Sequence, residues 1–109
     1  MFEVTMYIPT NGNEDNNGDR AEFSADHHSA FEAVAFEMFG GYTLLPQLNK
    51  GSYLNRAGQR DVETTRSYVI GISSLEQGSK IAELARFACA HYAQECIGVS
   101  YLGQFEMLS

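Results

Sequence analysis

Hydrophobic and polar residues alternate at the start of the chain. Every second residue from Phe2 to Ile8 is apolar, and this period of two predicts a half-buried β-strand that Pro9 ends. Residues 10–22 are acids, asparagines, glycines and other turn formers without an apolar period. This composition predicts a long loop between the first strand and the element that follows.

The apolar spacing changes to three and four residues after this loop, which predicts a helix. Ser24 or Asp26 can cap it by accepting a hydrogen bond from a first-turn amide. Glycine just beyond a helix satisfies its last carbonyls, so Gly40 is assigned to the C-cap. Gly41 is left over and permits close backbone approach of a ligand. The apolar stripe consists of Phe31, Val34, Ala35 and Met38.

The middle of the chain predicts two more strands separated by a polar stretch. Tyr42-Thr43-Leu44-Leu45 is interpreted as a short strand, and residues 46–61 as a loop or irregular hairpin around Ser52-Tyr53-Leu54. Val62–Ser73 then alternates over a length that suits a central strand.

The last third predicts a helix and a closing segment of sheet. Ser74 and Gln77 have the spacing of a capping box before the helix. Residues from Ile97 to Met107 alternate into one or two closing strands, broken near Gly103. The buried stripe of the helix is formed by Ile81, Leu84, Ala85, Ala88 and Tyr92.

The order of these elements is strand, helix, strand, strand, helix, strand. This order predicts an α+β fold, a ferredoxin-like βαββαβ sandwich with an antiparallel sheet and two helices on one face. A length of 109 residues fits one domain spanning residues 1–109. Many unrelated functions use this fold, so function has to be argued from a site.

Composition and charge restrict the partners. The net charge of −7 disfavours duplex DNA, whose phosphates require a basic face. No apolar run approaches the roughly 20 residues of a membrane helix, and the first residues lack the features of a secretory signal. We therefore expect no membrane partner and a cytoplasmic location, which is the host cytoplasm if a phage encodes the chain.

No metal site, cofactor or catalytic group is predicted. The acidic loop matches a calcium loop poorly, because Arg20 and Asp26 occupy the places of the required glycine and glutamate. Cys89 and Cys96 lack zinc spacing and are interpreted as reduced structural thiols. The adjacent His27 and His28 are expected to be neutral surface residues, and His91 a surface or packed residue of the second helix. No serine, threonine or cysteine has a base beside it in a recognised pattern.

A basic, tyrosine-bearing segment interrupts the acidic chain. Four of the seven basic residues lie between Pro46 and Arg66, where they could clamp a phosphate or carboxylate while tyrosines stack on a base or sugar. A solvated loop with surface charges is the alternative. Glu63 and Glu95 could pair across strands, or Glu63 could pair with an arginine. The predicted ligand residues are Gly41, Tyr42, Thr43, Lys50, Tyr53, Arg56, Arg60 and Arg66.

Several short motifs resemble a group of small uncharacterised bacterial and phage proteins. They are Phe39-Gly40-Gly41-Tyr42-Thr43, then Gly51-Ser52-Tyr53, and then Gly58, Glu63, Tyr68 and Gln94-Glu95. The resemblance covers about residues 30 to 105. It implies a compact α+β domain, often carried by mobile elements, with a shared pocket built from these residues.

Three functions from different classes follow. The first is a non-enzymatic binding protein of a phage or mobile element that sequesters a small anionic ligand, such as a signalling nucleotide, to counter host defence. The second is an acidic factor that blocks a host complex by direct binding. The third is a small enzyme that uses Glu63 with a tyrosine or arginine. We also expect a homo-oligomer, because the predicted sheet leaves one face without helices.

Overall fold

The computed structural model describes residues 1–54 and 57–109. Asn55 and Arg56 lie outside the described residues, and so does the prediction of Arg56 as a ligand residue. The elements are β1 (Phe2–Pro9), α1 (Ala25–Phe39), β2 (Thr43–Leu54), β3 (Arg60–Ile72), a 3₁₀ turn (Leu75–Gln77), α2 (Gly78–His91), β4 (Ile97–Tyr101) and β5 (Gln104–Leu108). In the two described ranges, neither helix has the length and hydropathy that crossing a bilayer requires.

The five strands form one antiparallel sheet in the order β2-β3-β1-β4-β5. The four strands of the predicted βαββαβ order occupy the positions expected of a ferredoxin-like sandwich, so the predicted fold class is confirmed. The closing segment forms two strands, with β5 added at the edge. Leu102 and Gly103 connect them, both with positive φ (49° and 75°), as a tight hairpin turn requires.

The alternation along each strand separates a helix-covered side from an open side. Val4, Met6 and Ile8 of β1 are buried under the helices, while the residues between them point the other way. The cross-strand register carries this division over the whole sheet. We call the open side the helix-free face; its side chains include Thr5, Tyr7, Thr43, Asn49, Tyr53, Glu63, Thr65, Ser67, Ser100, Phe105 and Met107.

The predicted caps of the first helix are confirmed. The side chain of Ser24 accepts a hydrogen bond from the His27 amide at 3.1 Å. Gly40 has the left-handed conformation of a C-cap (φ 77°), and its amide donates to the Phe36 carbonyl. The helix therefore ends just before β2 begins, and Gly41 lies in the short connection.

The prediction of a short strand followed by a loop at residues 46–61 is wrong, while the alternative of an irregular hairpin is confirmed. Residues 43–54 form one long strand that pairs with β3, with a register shift between Leu44 and Leu48 around Pro46. Proline cannot donate to a ladder, which explains the irregularity there. Most of β2 is exposed, so polar residues are tolerated in the strand and the hydrophobic period is absent.

The predicted capping box is also wrong in detail. Ser74 makes no side-chain cap hydrogen bond at the 3₁₀ turn. Gln77 instead accepts hydrogen bonds from the amide and the hydroxyl of Ser73, at 2.7 and 3.1 Å. The turn is tightened by a 3₁₀ bond from the Gln77 amide to the Ser74 carbonyl, and α2 starts only after it.

Histidines join the two helices. Nε2 of His27 lies 2.7 Å from the His91 carbonyl oxygen, and Nε2 of His91 lies 2.7 Å from the His27 carbonyl oxygen. The two rings stack with their centroids 3.8 Å apart.

The prediction that His28 is a surface residue is wrong: it is buried, because it lies three residues before Phe31 on the buried stripe. Its Nδ1 lies 2.7 Å from the Tyr92 hydroxyl. Burial, followed by the charge of Arg66, lowers the pKa of His28 from 6.5 to about 4.

Candidate functional site

Two of the predicted ligand residues, Tyr42 and Arg66, lie on the helix-covered side with Glu32. The hydroxyls of Tyr42 and Tyr68 donate to the Glu32 carboxylate at 3.2 and 2.7 Å. Nη2 of Arg66 is 3.7 Å from Glu32 Oε2, and its guanidinium carbon is 5.5 Å from the centroid of the Tyr68 ring. Burial, with the hydrogen bond to Glu32, raises the pKa of Tyr68. The charge of Arg66 is therefore already paired within the fold.

Within residues 1–54 and 57–109, the predicted cations Lys50, Arg60 and Arg66 do not converge. Nε of Arg60 donates to the Ser52 hydroxyl at 2.6 Å near the end of the β2–β3 hairpin. Arg60 lies six residues from Arg66 along β3, about 20 Å in an extended strand. Lys50 lies opposite Thr64, at the exposed edge strand. The basic residues are close in sequence, but the extended hairpin spreads them along its length.

The remaining predicted residues lie on or near the open side of the sheet. Thr43 is paired with Val69 and Tyr53 with Asp61, both on the helix-free face. Tyr53 and Lys50 line one cavity together with Tyr7 and Phe105. Of the predicted set, the structure therefore brings Lys50 and Tyr53 together and leaves Gly41, Tyr42, Thr43, Arg60 and Arg66 elsewhere.

Aromatic rings lie against glycines on the helix-free face. The ring of Tyr53 covers Gly51 so closely that a Cβ on the glycine would overlap it. A Cβ on Gly98 would be 2.9 Å from the ring of Phe105, which in turn contacts Tyr7 at 5.9 Å between centroids. Each glycine leaves room for one ring to lie along the sheet, and the three rings surround a shallow hollow.

Glu63 occupies the centre of this region. It pairs with Gly51 across the β2–β3 hairpin and lines three cavities, of about 60, 260 and 440 Å³. The smallest of these is also lined by Tyr7, Tyr53, Phe105 and Met107. The carboxylate thus borders an aromatic and thioether surface.

The surroundings of the Glu63 carboxyl group disfavour its charged form. Burial raises its pKa above the ordinary 4.5, the charge of Arg20 lowers it, and the charge of Asp61 raises it. Arg20 is itself close to two other carboxylates, at 3.7 Å from Glu14 and 3.9 Å from Asp61. A cation placed next to Glu63 would relieve this cost.

The late Gln94-Glu95 pair reaches the same site. Ala93 has a left-handed conformation (φ 54°) at the end of α2, and the Asn13 side chain donates to its carbonyl at 2.8 Å. This bend brings Gln94 and Glu95 to the largest of the cavities that Glu63 lines. The two glutamates that the sequence suggested as a pair therefore border one cavity.

Sequence reasoning missed Tyr7, Phe105, Met107 and Cys96. All four line the cavity beside Glu63. Each lies in or near a segment with alternating apolar residues, so it was interpreted as part of a strand and not as a site residue. A signal was present in β5. Phe105 and Met107 are apolar, although the alternation of the strand places them on the helix-free face and not under the helices. Among the described residues, no group of three or more His, Cys, Asp or Glu is arranged to hold a metal ion.

Solved structures resemble this chain over almost its whole length. One is a phage SAM lyase in complex with S-methyl-5'-thioadenosine, with a TM-score of 0.68 and 16% sequence identity. Another is a phage SAM lyase in the apo state, with a TM-score of 0.65 and 15% identity. Both matches cover 99% of this chain and 88% of the other. No curated protein sequence matches the chain.

A family model, that of the S-adenosylmethionine lyase family, matches residues 9–102. This match overturns the prediction of a non-enzymatic protein that sequesters a signalling nucleotide to counter host defence, and with it the alternative of a protein-blocking factor, because a lyase is an enzyme. The proteins that the sequence resembles are accordingly a defined family and not merely an uncharacterised group. The chain belongs to the S-adenosylmethionine lyase family.

Proposed function

We propose that this chain is a lyase that cleaves S-adenosylmethionine at the helix-free face, beside Glu63. The observation that carries the proposal is the half-buried carboxylate of Glu63, bordered by the rings of Tyr7, Tyr53 and Phe105. S-Adenosylmethionine has two cationic groups, a sulfonium and an ammonium, and an adenine ring. A carboxylate beside aromatic faces suits both features.

The bond that breaks follows from taking S-methyl-5'-thioadenosine, the molecule in the related complex, as a product. This product keeps the methyl and adenosyl groups on sulfur, so the bond between sulfur and Cγ of the methionyl part is the one cleaved. The bonding electron pair stays on sulfur, which becomes a neutral thioether. Cγ then needs a new bond, and the substrate's own carboxylate supplies it by closing a five-membered lactone.

This ring closure needs neither water nor a second substrate, and its atoms and charges balance. Holding the carboxylate oxygen in line with the breaking bond supplies much of the rate, as in other well-oriented intramolecular reactions. In the proposed complex Glu63 binds the ammonium, and the rings receive the adenosyl part. A second copy that covers these apolar walls would exclude water from a reaction that neutralises charge.

Product analysis tests the proposal. Incubation with S-adenosylmethionine should give equal amounts of S-methyl-5'-thioadenosine and homoserine lactone by mass spectrometry. Glu63→Gln should lower kcat/KM about 100-fold, the usual scale for removing one partner of a desolvated charge pair, whereas Glu83→Gln, on the exposed side of α2, should not. Because the pKa of Glu63 is raised, kcat/KM should fall on acidification at a higher pH than an ordinary carboxyl would give, and the Gln variant should lack this fall.

Intact substrate after prolonged incubation would refute the proposed activity. An unsaturated four-carbon amino acid in place of the lactone would refute the ring closure, because that product requires proton removal from Cβ. Equal losses in the Glu63→Gln and Glu83→Gln variants would refute the assigned site.

We further propose that the chain forms a homo-oligomer through the helix-free face. Tyr53, Phe105 and Met107 are each about half exposed there (48, 54 and 53%), and a second copy would cover these side chains and close the shallow site. The reaction is placed in the cytoplasm, where S-adenosylmethionine is made and used, which is the host cytoplasm if a phage encodes the chain.

A further inference from the structure

A separate cavity of about 370 Å³ lies on the helix-covered side, between α2 and the β4–β5 hairpin. Its volume falls within the range of small-molecule sites, roughly 300–1,000 Å³. Apolar side chains dominate its walls, among them Ile72, Ile81, Val99 and Leu108. The alternation of β5 separates it from the proposed active site, because Phe105 and Met107 face the opposite side of the sheet.

Two leucines at the edge of this cavity are exposed to solvent. Leu75, from the 3₁₀ turn, is 57% exposed, and Leu102, from the β4–β5 turn, is 59% exposed. Both line the cavity. Their apolar surface would be buried by a molecule that fills the space between them.

Leu102 also has a strained backbone. Its φ of 49° belongs to the left-handed region, which a bulky side chain rarely adopts because it is strained there. Asparagine, aspartate or glycine is the usual residue at this position of a tight hairpin turn. At Leu102 the turn instead places an apolar, exposed side chain at the edge of the cavity.

A polar group marks one side of the otherwise apolar cavity. The Tyr101 hydroxyl donates to Glu106 Oε1 at 2.8 Å, and both residues line the cavity. Among the described residues that line the cavity, Glu106 supplies the only carboxylate. The cavity therefore combines apolar walls with one negative charge held in place by a phenol.

We propose that this cavity is a second ligand site, which takes a small apolar molecule with an ammonium head. The apolar body fills the space between Leu75 and Leu102, and the ammonium binds Glu106. The site is independent of the lyase reaction, since its residues lie on the other side of the sheet from Glu63.

The matched probes 4-phenylbutylamine and 4-phenylbutyrate test this proposal. They share their apolar part and carry opposite charges at neutral pH. In NMR titrations of the full chain, the amine should shift the amides of Gly78, Ala82 and Leu102, and should bind at least about threefold more tightly than the acid, the scale of one partly exposed ion pair. Glu106→Gln should remove this preference.

Two further variants separate binding from folding. Ala82→Leu fills the cavity from α2 and should reduce amine binding at least about tenfold without lowering Tm, while Ala90→Leu, at an exposed position of the same helix, should bind normally. Leu102→Asn relieves the backbone strain, so it should raise Tm and still weaken binding several-fold. No shifts with either probe, shifts confined to the helix-free face, or undiminished binding by the Ala82→Leu variant would overturn the proposal.

Discussion

Glu32 and Glu63 are carboxylates of the same chain in opposite surroundings. Glu32 accepts hydrogen bonds from two tyrosine hydroxyls and pairs with Arg66. Glu63 is half-buried, its pKa is raised, and it makes no hydrogen bond to a side chain within residues 1–54 and 57–109. A buried charge that the fold compensates is structural, while one that the fold leaves costly is a candidate for binding. This contrast identifies Glu63 as the residue to test first.

His28 should make stability depend on pH. Its pKa of about 4 in the folded state is below the ordinary 6.5, so between these values the unfolded chain binds the proton first. The free energy of unfolding should therefore fall as pH decreases from 6.5 to 4. In the His28→Gln variant the glutamine can still form a hydrogen bond with Tyr92 but does not titrate. The substitution should lower the free energy of unfolding by about 1 kcal/mol at pH 7, and this free energy should then fall less steeply with decreasing pH than in the wild type. Denaturant unfolding at pH 7 and pH 4.5 measures both effects, and an unchanged fall would contradict this role.

At the scale of elements, β4 and β5 shape the proposed active site through a glycine. Gly98 admits the ring of Phe105, and a Cβ there would approach the ring to 2.9 Å. Gly98→Ala should displace the ring into the hollow and weaken binding of S-methyl-5'-thioadenosine about tenfold. The corresponding loss of binding free energy lies within the roughly 1–3 kcal/mol that overpacking typically costs. Calorimetric titration measures the change. Gly78→Ala, where a Cβ meets nothing within 4 Å, is the control and should bind normally; equal affinities for both variants would exclude the displacement.

The elements themselves were largely predictable from the sequence. Buried residues such as Met6, Phe31 and Ile70 repeat with the period of their strand or helix, and the order of elements then gives the ferredoxin-like arrangement. The long strand β2 was missed because it is exposed on both sides. Polar residues are tolerated on both faces of such an edge strand, so its sequence has no hydrophobic period that would predict a strand.

The site was only partly predictable, because side chains that are close in sequence are distributed over two faces. Arg66 and Ser67 point to opposite sides of the sheet, and the partner of Arg66 is Glu32, on α1. Glu63 and Tyr53 could be named from the sequence. Tyr7 of β1 and Phe105 of β5 line the same cavity, and this arrangement depends on strand pairings across most of the chain.

At the scale of the whole molecule, an acidic chain suits a cationic substrate. The net charge of −7 attracts a small cation over distances within the Debye length, about 8 Å at physiological ionic strength. Association with S-adenosylmethionine should accordingly be faster at low salt. The same charge opposes self-association, so the contacts of the helix-free face have to outweigh it.

Self-association can be tested by a charge at the centre of the helix-free face. Wild-type chain at micromolar concentration should give a multiple of 12.1 kDa by light scattering. Ser100→Arg, on β4 opposite Thr5, should shift the mass towards the monomer, because a buried unpaired charge is costly at an interface. Ser79→Arg, at an exposed position of α2, should leave the mass unchanged. A monomeric wild-type chain would refute the proposed oligomer.

The position of Glu63 beside the aromatic hollow has a consequence for turnover. In the proposed complex the substrate is bivalent, with its ammonium on Glu63 and its adenosyl part on the rings, so each contact raises the effective concentration for the other. Cleavage of the bond between sulfur and Cγ separates the two anchors into different molecules. Each fragment then dissociates with its own weaker affinity, so the reaction itself abolishes the avidity that held the substrate.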